Sequence, residues 1–166
     1  MDLLKKRQDK DQKNQQLVQQ ILKGSQVNRY KFGSLNEMVM IRNLSLKKIL
    51  NGKVNSNEDK NQILQILELL NEYFYVEELD QLDTGDYIRY FSFKTDNSQI
   101  SFELKKGGYY VNHENGFIIL KNLKYASETE KPTYWKISDQ TPIFCLLTDQ
   151  DKIILALMEK TSYQEN

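Results

Sequence analysis

A chain of 166 residues holds one domain of ordinary size, or a small β domain with a helical partner, and leaves no room for a third folded unit. Its 23 Lys plus Arg balance 23 Asp plus Glu, which excludes binding to nucleic acid or anionic lipid through bulk charge and leaves any such role to a local patch. One cysteine, Cys145, excludes an intramolecular disulfide framework; among Ile143, Phe144, Leu146 and Leu147 it reads as a small buried hydrophobe in a reducing setting.

The N-terminus begins with two leucines and turns at once to Lys5, Lys6, Arg7, Asp9 and Lys10, the wrong order for a signal peptide. No stretch approaches the ~20 apolar residues of a membrane span. The expectation is an intracellular protein, in cytoplasm or nucleus or inside a virus particle, and not a secreted one. Residues 1–16 are almost wholly charged or amide-bearing and predict a polar arm or frayed helix. Leu17, Val18, Ile21 and Leu22 share one helical face, and Gly24 supplies a stop.

Ser34-Leu35-Asn36-Glu37 has the capping-box pattern, in which the serine oxygen and the glutamate carboxylate each satisfy a free backbone donor. It predicts a helix from Leu35 towards Ile41, a break near Asn43, and a second short helix through Leu44, Leu46, Ile49 and Leu50 that stops at Asn51-Gly52. Ser56 and Asp59 mark the next start. Ile63, Leu64, Ile66, Leu67, Leu70, Tyr73 and Phe74 then form a broad apolar helical stripe, completing a helical region over 17–75.

Between Glu68 and Asp86 stand seven acidic residues and no basic one. Such a block repels nucleic acid and attracts a basic partner; its simpler reading is a solvated linker, placed at 76–84. Beyond it, Asp86 to Lys94, Gln99 to Lys105, Tyr109 to Asn112, Phe117 to Leu123, Thr133 to Ile137 and Ile143 to Leu147 read as short strands rich in β-branched and aromatic residues. Asp96-Asn97, Gly107-Gly108, Asn115-Gly116 and Asp139-Gln140 separate them as turns. The predicted fold is therefore α+β: a helical N-terminal half, then an antiparallel β domain over 85–147, forming a small barrel or strongly bent sheet of SH3-like size. In the last segment, 148–166, Ala156 to Lys160 favour helix although Ile153, Leu155 and Leu157 also alternate as a strand would.

Few residues carry chemistry. His113 is the single histidine, on a predicted hairpin tip with no ligand-spaced partner, so a solvated turn residue outweighs a general base or metal ligand. A Cys145–His113 dyad lacks anything local to poise the thiol. Gly107-Gly108 lies between strands rather than before a helix, which argues against a phosphate cradle. Neither a catalytic set nor a cofactor or metal site is expected. Eleven of the eighteen aromatics fall between Tyr87 and Trp135, interleaved with Arg89, Lys94, Lys105, Lys106, Lys121 and Lys124. Alternation turns some outward, and Tyr87, Arg89, Phe91, Lys105, Tyr109, Lys121 and Trp135 form the candidate binding surface.

One resemblance bears on origin. Leu82, Gly85-Asp86-Tyr87-Ile88-Arg89-Tyr90, Gly107-Gly108, Ile118-Ile119-Leu120-Lys121-Asn122, Trp135-Lys136-Ile137 and Ile143-Phe144 follow one another in an order that resembles small uncharacterised β-domain proteins of large double-stranded DNA viruses. The match covers about two-fifths of the chain and none of the helical half. It implies a β-barrel-like module in a virion-associated protein and transfers no catalytic residue. The richness in Asn, Lys, Gln and Ile fits an AT-rich genome, viral or protist. The first expectation is a non-catalytic structural or protein-interaction module whose partner is another protein, a basic one or a second copy. The alternative is a nucleic-acid-binding module using aromatic and Lys/Arg side chains of the sheet.

Overall fold

The computed structural model describes residues 2–24 and 29–164. Among these residues, four helices, α1 (Asp2–Gly24), α2 (Leu35–Ile49), α3 (Asn57–Leu69) and α4 (Asp149–Gln164), accompany six strands: β1 (Tyr73–Tyr75), β2 (Tyr87–Asp96), β3 (Gln99–Glu114), β4 (Phe117–Lys121), β5 (Tyr134–Ser138) and β6 (Ile143–Leu146). The fold is α+β, as expected. The residues separate into two compact units, one formed by 1–39 with 147–166 and the other by 40–146, a line that runs elsewhere than the expected linker at 76–84.

The predicted helix starts are present in atomic detail. Glu37 N–H donates to Ser34 Oγ at 3.1 Å while the Glu37 carboxylate accepts from Gly33 N–H at 2.9 Å. Asp59 N–H donates to Ser56 Oγ at 3.2 Å. The C-terminal segment is helical, as preferred. The apolar face expected from Leu17, Val18, Ile21 and Leu22 concerns side chains outside the described residues.

The break near Asn43 is absent, and α2 runs unbroken. Arg42 gives a reason: it is buried, and its Nη1 donates to the carbonyls of Leu70 at 2.8 Å and Asn71 at 3.0 Å. The final turn of α3 has no basic residue of its own, so Arg42 brings positive charge to that helix end. Burial lowers the Arg42 pKa. The apolar stripe of α3 is also shorter than expected, since Tyr73 and Phe74 leave it to form the edge strand β1.

Segment 76–84 is more ordered than a solvated linker. Leu79–Gln81 form a 3-10 turn, and Val76, Gln81 and Leu82 are buried. Gln81 Oε1 accepts from the backbone N–H groups of Glu77 at 2.8 Å and Glu78 at 3.0 Å, so one buried amide organises the loop.

All strand pairs are antiparallel, in the order β1-β6-β2-β3-β4-β5. Asn97 and Ser98, and likewise Asn115 and Gly116, carry the positive φ of tight hairpin turns. Gly107-Gly108 is no turn. The two strands expected around it are one 16-residue strand, β3, and the glycines sit at an irregularity where β3 carries one residue more than β2. A Cβ on Gly107 would lie 1.3 Å from the Ile88 carbonyl oxygen, and one on Gly108 2.5 Å from the Trp135 ring. Close approach, not turning, requires glycine here.

The barrel expectation is corrected: β1 and β5 are edge strands and do not pair, so the sheet is open. It is curled nonetheless. β5 and β6 stand four places apart, about 19 Å across a flat sheet. The four residues 139–142 joining them reach at most about 17 Å when extended, and they contain a turn closed by Thr141 N–H to Ser138 O.

Register assigns the faces. One face carries Phe74, Ile88, Cys145, Ile118 and Leu120, all fully buried. The other carries Tyr73, Phe91, Phe102, Leu104 and Phe144, which pack with Leu46 of α2, Leu50 just after it, and Ile66 and Leu70 at the α3 end. The helices cover only part of this second face.

Candidate nucleic-acid interface

Where α2 and α3 stop, the second face of the sheet continues over β2, β3, β4 and β5. Tyr87 is the cross-strand partner of Tyr109, Tyr109 of Lys121, and Lys121 of Tyr134, so four residues form one row perpendicular to the strands. At strand spacing the row is about 14 Å long. The Tyr87 and Tyr109 rings meet edge to face with centroids 5.2 Å apart, an arrangement that fixes both while leaving each partly exposed. Tyr134 at the far end is 57% exposed.

Beside this row lie Ile119 paired with Lys136 and Phe117 paired with Ser138. Lys136 Nζ stands 5.4 Å from the centroid of the 43% exposed Phe117 ring. Arg89, two residues after Tyr87 on β2, is pinned by its Nε donating to Lys105 O at 3.1 Å, and its positive charge acts on the Tyr73 phenol. Burial raises the Tyr73 pKa; Arg89 acts against that rise. Among the described residues of this face, the first acidic side chain is Glu114, beside the β3–β4 turn.

The seven residues of the sequence-derived surface divide. Tyr87, Arg89, Tyr109 and Lys121 come together. Phe91 shares their face but lies under the helices, 2% exposed. Lys105 pairs with Tyr90 on the opposite face and holds Glu103 at 3.0 Å. Trp135, the partner of Leu120, also faces the other way and closes over Gly108. Tyr134, Lys136 and Phe117 belong to the surface without having been singled out; alternation along β4 and β5, counted from Lys121, was the signal that finds them.

His113 Nε2 and Asp139 Oδ2 are 3.0 Å apart at the surface, and this contact is the first of the influences holding Asp139 below the usual carboxylate range. Cys145 is fully buried, and its Sγ is directed to Leu146 O at 3.6 Å. Among the described residues no three His, Cys, Asp or Glu side chains gather as metal ligands would, and no helix is long and apolar enough to cross a membrane. Comparison with protein-family models, with curated proteins and with solved structures finds no match to this chain.

Proposed function

We propose that this chain is a non-catalytic binding module that takes single-stranded nucleic acid across the open face of β2–β5. The row Tyr87–Tyr109–Lys121–Tyr134 carries this reading. Phenol rings on a rigid sheet offer stacking surface to unpaired bases at little entropic cost, and every base has a face to stack. Lys121, Lys136 and Arg89 supply the charge that phosphates need, locally, in a chain with no net charge. A sheet face with aromatics in register suits two or three splayed bases better than a duplex, whose bases are stacked inside.

The test is fluorescence anisotropy with short single-stranded and duplex DNA and RNA probes at two salt concentrations. Single strands should bind, and affinity should fall steeply with salt. Tyr134→Ala should weaken binding by ~1–3 kcal/mol, and Lys121→Ala should both weaken it and flatten the salt slope. No binding at low salt ends the proposal.

A second reading, a structural or protein-interaction module carried in a virus particle, rests on the resemblance of the β region and on the exposed carboxylates of Glu77, Glu78 and Asp80 around the 3-10 turn. These suit a basic protein partner. Lysine substitutions at Glu77 and Asp80 that abolish co-elution with such a partner, in a chain that ignores nucleic acid, would favour it.

A further inference from the structure

We infer that the α2–α3 face is an interface between two copies of this chain, related by a two-fold axis. Between the two helices lies a groove of about 530 Å³ whose floor and walls are Leu46, Leu50, Val54, Ile63, Ile66 and Leu67. Leu46, Leu50 and Ile66 belong to the core beneath the sheet, so the groove opens directly onto packed apolar interior. Polar groups line it chiefly from the α2 side, through Asn43, Lys47 and Asn51.

Leucines project on both sides of this hollow. Leu44 stands beside Asn43 and one turn before Lys47 on α2, and is 53% exposed; Leu64 stands beside Ile63 and one turn before Leu67 on α3, and is 63% exposed. A surface holding both a hollow and projecting leucines is self-complementary. Two-fold symmetry requires that property, because the same patch must serve as knob and as hole.

Charge sets the orientation. The tip of the helical hairpin exposes Lys47, Lys48 and Lys60 beside Glu58; Lys53 is turned inward, its Nζ donating to Ile49 O at 2.7 Å and standing over the Phe93 ring, and Asp59 is occupied in capping Asn55 N–H. The opposite end, where Arg42 reaches the Leu70 carbonyl, carries Glu68 and Glu72 at the surface. A two-fold axis perpendicular to the hairpin lays the basic tip of one copy on the acidic base of the other. An antiparallel pair of hairpins buries Leu44 and Leu64 of each copy in the other's groove. A foreign helix or a small apolar ligand would fill the hollow but has no need of this matched charge.

Sedimentation velocity and light scattering over a wide concentration range test the inference on the full chain. The chain should pass from monomer to dimer as concentration rises. Leu64→Glu should weaken association about tenfold or more, at a site exposed enough to leave the circular dichroism spectrum and melting temperature unchanged. Lys47→Glu and Glu68→Lys should each weaken it, and the chain carrying both should recover, which a fold defect would not do. A chain that stays monomeric throughout, an association that Leu64→Glu leaves unaltered, or a double swap that fails to recover overturns it. Tyr134→Ala, on the sheet face, should leave dimerisation intact, so this result and the nucleic-acid result stand apart.

Discussion

Arg29 and Asp151 lie 122 residues apart in sequence and meet as a buried, forked ion pair, Nε to Oδ1 at 3.0 Å and Nη2 to Oδ2 at 2.9 Å. The Tyr30 hydroxyl donates to the same carboxylate, and so does Thr148 N–H at 2.8 Å, while Thr148 Oγ1 accepts from Asp151 N–H at the start of α4. The sheet unit of residues 40–146 is secured differently, by apolar side chains such as Phe91, Phe102, Leu104 and Phe144 filling the space under α2 and α3. The chain-end unit adds this directional cluster to buried apolar side chains such as Met38 and Leu155, whereas the largest contribution in the middle is non-directional burial, with Arg42 as its buried polar link. One carboxylate that caps a helix, neutralises an arginine and accepts from a phenol concentrates the polar contacts in a single residue, whereas the sheet spreads its packing over many.

Mutation should expose that contrast. Asp151→Ala leaves Arg29 buried with its main anion gone, and should cost about 3–5 kcal/mol in urea unfolding; replacing both partners by apolar residues of similar volume should recover most of it. In the sheet the most sensitive position is a backbone one. Gly107→Ala drives a Cβ into the Ile88 carbonyl and should cost about 1–3 kcal/mol or more, with loss of amide protection along β2–β3 rather than at α4.

Proton titration separates the two regions further. Burial acts to raise the Asp151 pKa, but Arg29, Tyr30 and Thr148 outweigh it, and the group lies below the ordinary carboxylate range. Its contribution is therefore complete above the unfolded value of about 3.9 and is lost as pH falls through the lower folded value. Tyr30 is shifted upward, by burial first and by Asp151 next, so its contribution is complete below about pH 10 and is lost as pH rises through the higher folded value. Stability curves should steepen at both extremes, and Asp151→Ala should flatten both limbs. The smallest effect belongs to the surface pair: His113→Ala should leave the melting temperature unchanged, while the Asp139 carboxyl, followed by NMR, moves up towards its ordinary pKa.

Local signals were legible in the sequence and non-local ones were not. Ser34, Ser56 and Asn115-Gly116 act on backbone groups within four residues, so the helix starts and the β3–β4 turn are where the letters place them. Gly107-Gly108 resembles a turn because a turn and a close approach both demand glycine; only the Ile88 carbonyl, nineteen residues earlier, distinguishes them. Arg42 continues α2 through Asn43 by reaching carbonyls 28 and 29 residues away. Thr148 and Asp151 bond each other within one turn, but nothing local ties Asp151 to Arg29. The candidate surface was half legible for the same reason: composition marked Tyr87, Arg89, Tyr109 and Lys121, whereas the side taken by Lys105 depends on the irregularity within β3, and that of Trp135 on the pairing of β4 with β5.

The position of β6 has a consequence for how the molecule comes into being. β2, β3, β4 and β5 follow one another as neighbours, so each can pair as soon as it has been synthesised. β1 cannot, because its only partner, β6, begins 68 residues after β1 ends. Until Ile143–Leu146 leave the ribosome, β1 and β2 present open edges to each other across the gap that β6 later fills. The place of β6, four residues long, next to the edge strand and flanked by Phe74 and Ile88, therefore stays open to any extended apolar segment at hand until the chain's own late strand arrives.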